Sequence, residues 1–74
     1  MNNNTNANAN REELAAAYLQ AITARDEADY ALSQSRTANL ESGLSQDFGN
    51  QGLIARLDEA RERLDEITRQ MLGL

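Results

Sequence analysis

From Leu53 to Leu74 the apolar residues Leu53, Leu57, Ala60, Leu64, Ile67, Met71 and Leu74 recur at alternating steps of four and three. A helix brings such positions onto one side; a strand scatters them over both. Between them stand Arg56, Asp58, Glu59, Arg61, Glu62, Arg63, Asp65, Glu66 and Arg69, so one side of this helix is wettable and the other has to be covered. Glu59 with Arg63 and Asp65 with Arg69 have the favourable i to i+4 order, each pair adding ~0.2–0.5 kcal/mol. Gly73 is placed to end the helix.

The cover has to come from upstream or from another molecule. From Arg11 to Ser42 there is neither Gly nor Pro, which permits one long helix. Asn10 followed by Glu13 reads as a capping box at its start, and Glu12 and Glu13 suit the positive end of the helix dipole. Ser33, Ser35, Thr37, Asn39 and Ser42 weaken its last third. Its seam is made of small residues, Ala17, Ala21, Ala24, Ala28, Ala31, Ser35, Ala38 and Ser42, which would let a second backbone approach to ~8 Å. Leu14, Tyr18, Ile22 and Leu32 flank and widen it.

Gly43 to Gly52 breaks the pattern with three Gly plus Ser45, Asp47 and Asn50, which is turn chemistry. Asn50 is the expected cap of the second helix, and Leu44 and Phe48 are expected to tuck the loop onto the helix ends. The expected fold is therefore all-α, a two-helix hairpin over residues 11–74 with a long first and a shorter second helix. Residues 1–10, six of them Asn, read as a flexible low-complexity arm. With a tight turn, Leu14, Tyr18, Leu19 and Ile22 overhang the second helix by roughly 15 Å and are expected to meet another molecule.

Composition makes outside contact more pressing. Of the 41% hydrophobic residues in this 74-residue chain, twelve are Ala, and Trp is absent, so one thin core is all the chain can build. The expected interface residues are Leu14, Ala17, Tyr18, Ala21, Ile22, Ala24, Ala28, Leu53, Leu57, Leu64, Ile67 and Met71, shared with further copies of the chain or with other protein subunits.

Catalytic and cofactor chemistry finds little to work with. Neither Cys nor His is present, which removes the usual nucleophile, general base and soft metal ligands; no enzyme activity, cofactor or metal is expected. Asp26, Glu27 and Asp29 point in different directions around a helix and read as a solvated patch rather than ligands. Asp47-Phe48-Gly49 matches the kinase magnesium triplet and Gly49-Asn50-Gln51-Gly52 an RNA-binding GxxG loop, but each lacks its required surroundings and reads as a turn. A net charge of -5 disfavours nucleic acid and anionic membranes as partners. The longest apolar run, Leu14 to Leu19, is far short of the ~18 residues of a membrane span, and no leader pattern follows Met1, so synthesis in the cytoplasm is expected.

The stretch Arg11-Glu12-Glu13-Leu14-Ala15-Ala16-Ala17, followed by more apolar helix and by a short last helix of Leu57, Leu64 and Ile67 type, resembles the small head-to-tail joining proteins of tailed bacteriophages. Members of that family carry a β-hairpin between their helices, whereas Ser33 to Gly52 lacks the alternation of a strand. The resemblance implies a virion component that docks around a ring at the portal. The other reading is a small helical dimer, an adaptor or regulator that offers its acidic face to a basic partner.

Overall fold

The computed structural model describes residues 3–73, with side chains from Asn10 onward. Two helices, α1 (Asn3–Glu41) and α2 (Gln51–Leu72), form an antiparallel hairpin, a rod of 63 × 17 × 15 Å. The lopsided lengths read from the sequence hold, at 39 and 22 residues. The α1 helix begins before Arg11, so Asn10 lies inside it and does not cap it. Of the Asn-rich stretch read as an arm, Met1 and Asn2 lie outside the described residues, as do the side chains of residues 3–9.

The connection explains why α1 persists through its Ser- and Asn-rich last third. After Glu41 the helix ends in a left-handed glycine: Gly43 has φ +77°, its N–H donates to the Leu40 carbonyl at 3.1 Å and that of Leu44 to the Asn39 carbonyl at 2.8 Å, so carbonyls of the last turn are satisfied. No atom lies within 4 Å of where a Cβ at Gly43 would sit, so Gly43→Ala tests backbone strain alone. It is expected to cost about 1–2 kcal/mol in a thermal or urea melt.

The loop then folds back along α1 instead of extending from its tip. Asn39 donates its side-chain N–H groups to the carbonyls of Gln46 (2.8 Å) and Phe48 (3.0 Å), and Arg36 Nε donates to Asp47 at 2.6 Å. These bonds hold the poor helix formers in register. Asn50 stands at the N-cap position of α2 but makes no side-chain cap bond. Its amide is turned inward, 2% exposed, accepting from Ser35 Oγ at 2.6 Å and donating to the Gln46 carbonyl at 3.0 Å. The buried polar group is thus satisfied on both sides, as it must be.

The Ser35–Asn50 bond and the packing of Ala28 against Leu57 set the register: seven residues back along α1 match seven forward along α2. Continued, that register sets Ala21 level with Leu64 and Leu14 level with Met71. The core cluster is Ala28, Leu32 and Leu57, with Leu53 and Ile54 packed on it, and Ala21 and Ile67 are buried further along the rod. Small residues of α1 lie where large ones of α2 enter, which is how a thin seam reaches close packing.

The inner face of α1 differs from the expected small-residue stripe. Ala24, Ala38 and Ser42 are exposed, and Tyr18, Arg25, Leu32 and Asn39 occupy the inner positions beside Ala21, Ala28 and Ser35. The cause is area: turning α1 by one position at alternate steps brings the large flanking residues Leu32 and Tyr18 onto the seam itself, burying the first and half-burying the second. The expected overhang is also displaced. Because the loop folds back, α2 starts beside Ser35 and reaches the level of Glu13, so Leu14, Tyr18 and Ile22 are half-buried and only Leu19 of that group is exposed. What projects is the segment before Glu13, by about 15 Å.

Candidate interaction surface

Of the interface residues expected from the sequence, Ala21, Ala28, Leu57 and Ile67 are buried and Leu14, Ala17, Tyr18, Ile22, Leu53 and Leu64 are half-buried within the chain itself. They form the seam between α1 and α2. Ala24 and Met71, the latter 46% exposed, remain open to solvent. Met71 opens outward because α2 is ending there and Leu14 opposite is itself only partly covered; Leu74, the last member of the seam, lies outside the described residues. Ile54, which packs on the core cluster, stands one place after Leu53 and was masked by that residue in the strict four-three stepping.

Among the described residues seven large apolar side chains are exposed: Leu19, Tyr30, Leu40, Leu44, Phe48, Met71 and Leu72. They are not spread at random. Leu44 and Phe48, expected to tuck inward, point outward from the loop at 41% and 62% exposure, because Arg36, Asn39 and Asn50 bind the loop through its polar groups and leave no apolar pocket to receive them. Leu19, Tyr30 and Leu40 all lie on the side of α1 opposite α2.

Among the described residues three Arg are paired with carboxylates. Arg25 meets Asp26 at 2.9 Å, Arg69 meets Asp65 at 2.5 Å and Arg36 meets Asp47 in the loop. The expected Glu59–Arg63 contact is absent among the described residues; exposed i to i+4 pairs gain too little to hold two long side chains in place. Arg25, Asp26 and Asp29 of α1 and Arg61, Leu64, Asp65 and Thr68 of α2 line an open, shallow groove. Two of its carboxylates are already held by Arg25 and Arg69, and the Thr68 hydroxyl donates to the Leu64 carbonyl at 2.7 Å, each within its own helix. Among the described residues no cluster of three or more acidic side chains is arranged to hold a metal ion, and no helix is long and apolar enough to cross a membrane.

The residues of the loop clamp were only partly legible. Asn50 stood out as a cap, whereas Arg36 and Asn39 carried a subtler signal: Asn39 follows Leu32 and Ser35 on the inner face, where a polar side chain needs a fixed partner. Scans against protein-family models and searches of curated proteins and of solved structures return no match to this chain.

Proposed function

We propose that this chain is a non-enzymatic assembly component, one whose helices pack against further subunits, copies of itself among them. The observation that carries the reading is an imbalance of apolar surface. Among the described residues five apolar ones are buried in the core and two of these are Ala, whereas seven large apolar side chains stand in water. Helices in proteins draw most of their stability from tertiary packing, and a hairpin with so little of it gains from association by mass action. The likeness of Arg11 to Ala17 to the joining proteins of tailed phages supports a setting in which such subunits surround a ring between head and tail of a virion.

Mass in solution tests the reading. Multi-angle light scattering of the full chain is expected to give a mass above one copy that rises with concentration. A dimer of constant mass would favour the adaptor, and a single copy that melts cooperatively at high temperature would overturn both.

A further inference from the structure

The two long sides of the hairpin differ in how they carry charge. One holds the shallow groove, where Arg25, Asp26 and Asp29 of α1 lie beside Arg61 and Asp65 of α2, with both signs on each helix. On the other side the signs are separated. Along the edge of α1, Glu13, Gln20, Glu27 and Gln34 recur at steps of seven, and along the edge of α2, Arg56, Arg63 and Gln70 do the same. All of these are exposed, and none of the four charged ones enters an ion pair among the described residues. Glu59 and Glu66 stand further round, on the outward side of α2.

Between the two edges lies apolar surface that one chain covers only in part. Ala17, Ala31, Leu53 and Ala60 are half-buried and Ala24 is exposed, and these too recur at steps of seven on each helix. Apolar positions at that spacing, flanked by charges, are how helices pair along their length, the flanking charges choosing partner and direction. Here the acidic edge belongs to one helix and the Arg edge to the other, so the side complements a second copy of itself. We propose that two copies of this chain associate through this side as an antiparallel four-helix bundle, joined by Glu27 of each to Arg56 of the other.

The register within the chain, Ser35 beside Asn50 and Ala28 beside Leu57, fixes what the second copy meets. A two-fold axis parallel to the rod lays α2 of that copy antiparallel along α1 at the same level. Glu27 then stands two residues, about 3 Å along the axis, from Arg56 of the second copy, and Gln20 and Glu13 stand at the same offset from its Arg63 and Gln70. Each acid or amide of one edge meets a donor of the other. Ala17, Ala24 and Ala31 fall within one residue of Ile67, Ala60 and Leu53 of the second copy, small against large at both ends. A two-fold axis across the rod would instead lay α1 on α1, acid on acid and Arg on Arg, which two chains of net charge -5 oppose. The shared length is about 33 Å on a rod 17 Å wide, covering roughly 500 Å² of each copy, which is where specific interfaces begin.

The inference rests on the assembly reading and names one of its contacts. In sedimentation equilibrium of the full chain, Glu27→Arg and Arg56→Glu are each expected to weaken self-association roughly ten-fold or more, because like charges then meet at two places in the face. An equimolar mixture of the two variants is expected to recover it, since each chain supplies the sign that the other lacks; a pair formed within one chain could not be rescued by mixing. Ala24→Arg, in the middle of the face, is expected to abolish the contact, whereas Ala55→Arg makes the same charge change on the outward side of α2 and leaves it intact. All four sites are exposed, so helicity by circular dichroism should be unchanged. A mixture no better than its components, or equal effects of Ala24→Arg and Ala55→Arg, overturns this face, and a wild-type chain of several copies then leaves the assembly reading standing. A wild-type chain that stays single removes both.

Discussion

Leu57→Ala is expected to lower stability by about 2–5 kcal/mol, the usual range when a buried leucine is cut back and its surroundings relax only in part. Leu57 is 5% exposed and joins the only core cluster in the described residues, with Ala28 and Leu32 across from it and Leu53 and Ile54 beside it. Ala28, at 1% exposure, has no side chain to swing into the space. In a domain whose whole stability is of order 5 kcal/mol, the loss should leave a large unfolded fraction at 37 °C. Met71→Ala is the control: the same seam on paper, but 46% exposed, and expected to cost less than about 1 kcal/mol. Thermal melts at one fixed protein concentration, since association shifts the midpoint, check the contrast; equal losses would mean that α2 does not sit in the register described.

Asn50→Ala is expected to cost about 2–3 kcal/mol although it removes no apolar contact. Its side chain is the joint of the hairpin: the carbonyl oxygen receives Ser35 Oγ–H from α1 and the amide nitrogen reaches Gln46 in the loop. Truncation leaves the half-buried Ser35 hydroxyl without its acceptor, and such a stranded polar group costs about 1–3 kcal/mol. The Gln46 carbonyl keeps its bond from Asn39, which limits the loss. Ser35→Ala should be milder, and the double variant S35A/N50A should cost less than the sum of the singles by about 0.5–2 kcal/mol, the sign of a shared interaction. Strict additivity in a urea-melt cycle would show that the two side chains act independently. A loss for Asn50→Ala below about 0.5 kcal/mol would mean that it serves as an ordinary, solvated N-cap.

These two sites contrast in how they could be read beforehand. Leu57 is legible because a helix repeats every 3.6 residues, so a four-three stripe between charges reports burial without any knowledge of the partner. Asn50 was recognisable as a residue that begins a helix, but its role as a buried link depends on which α1 residue comes beside it. That in turn depends on a loop that folds back by about six residues, and turn residues announce a break without announcing its direction. The same displacement moved Leu14, Tyr18 and Ile22 from an overhang onto the seam. It also left Leu44 and Phe48 outside, since the loop was drawn in through its polar groups.

The alanines of α1 illustrate the same limit from another side. Twelve Ala in a mostly helical chain align along several faces at once, so a small-residue stripe can be drawn in more than one direction. Packing against α2 selected the line through Ala21, Ala28 and Ser35 and turned Ala24 and Ala38 to solvent, because that choice buried Leu32.

What the amino-acid order determined by itself is the local part: two helices, a glycine-rich break between them, the inward stripe of α2 and the stop at Gly73, each set by residues within a few positions of one another. What only the tertiary structure decided is the register of one helix on the other, and with it which side of α1 remains bare. Local propensity acts over one or two turns, whereas register is fixed by contacts fifteen and more residues apart along the chain, such as Ser35 with Asn50 and Ala28 with Leu57. The free face of α1 is the remainder of that choice, and it became visible once the other face was taken.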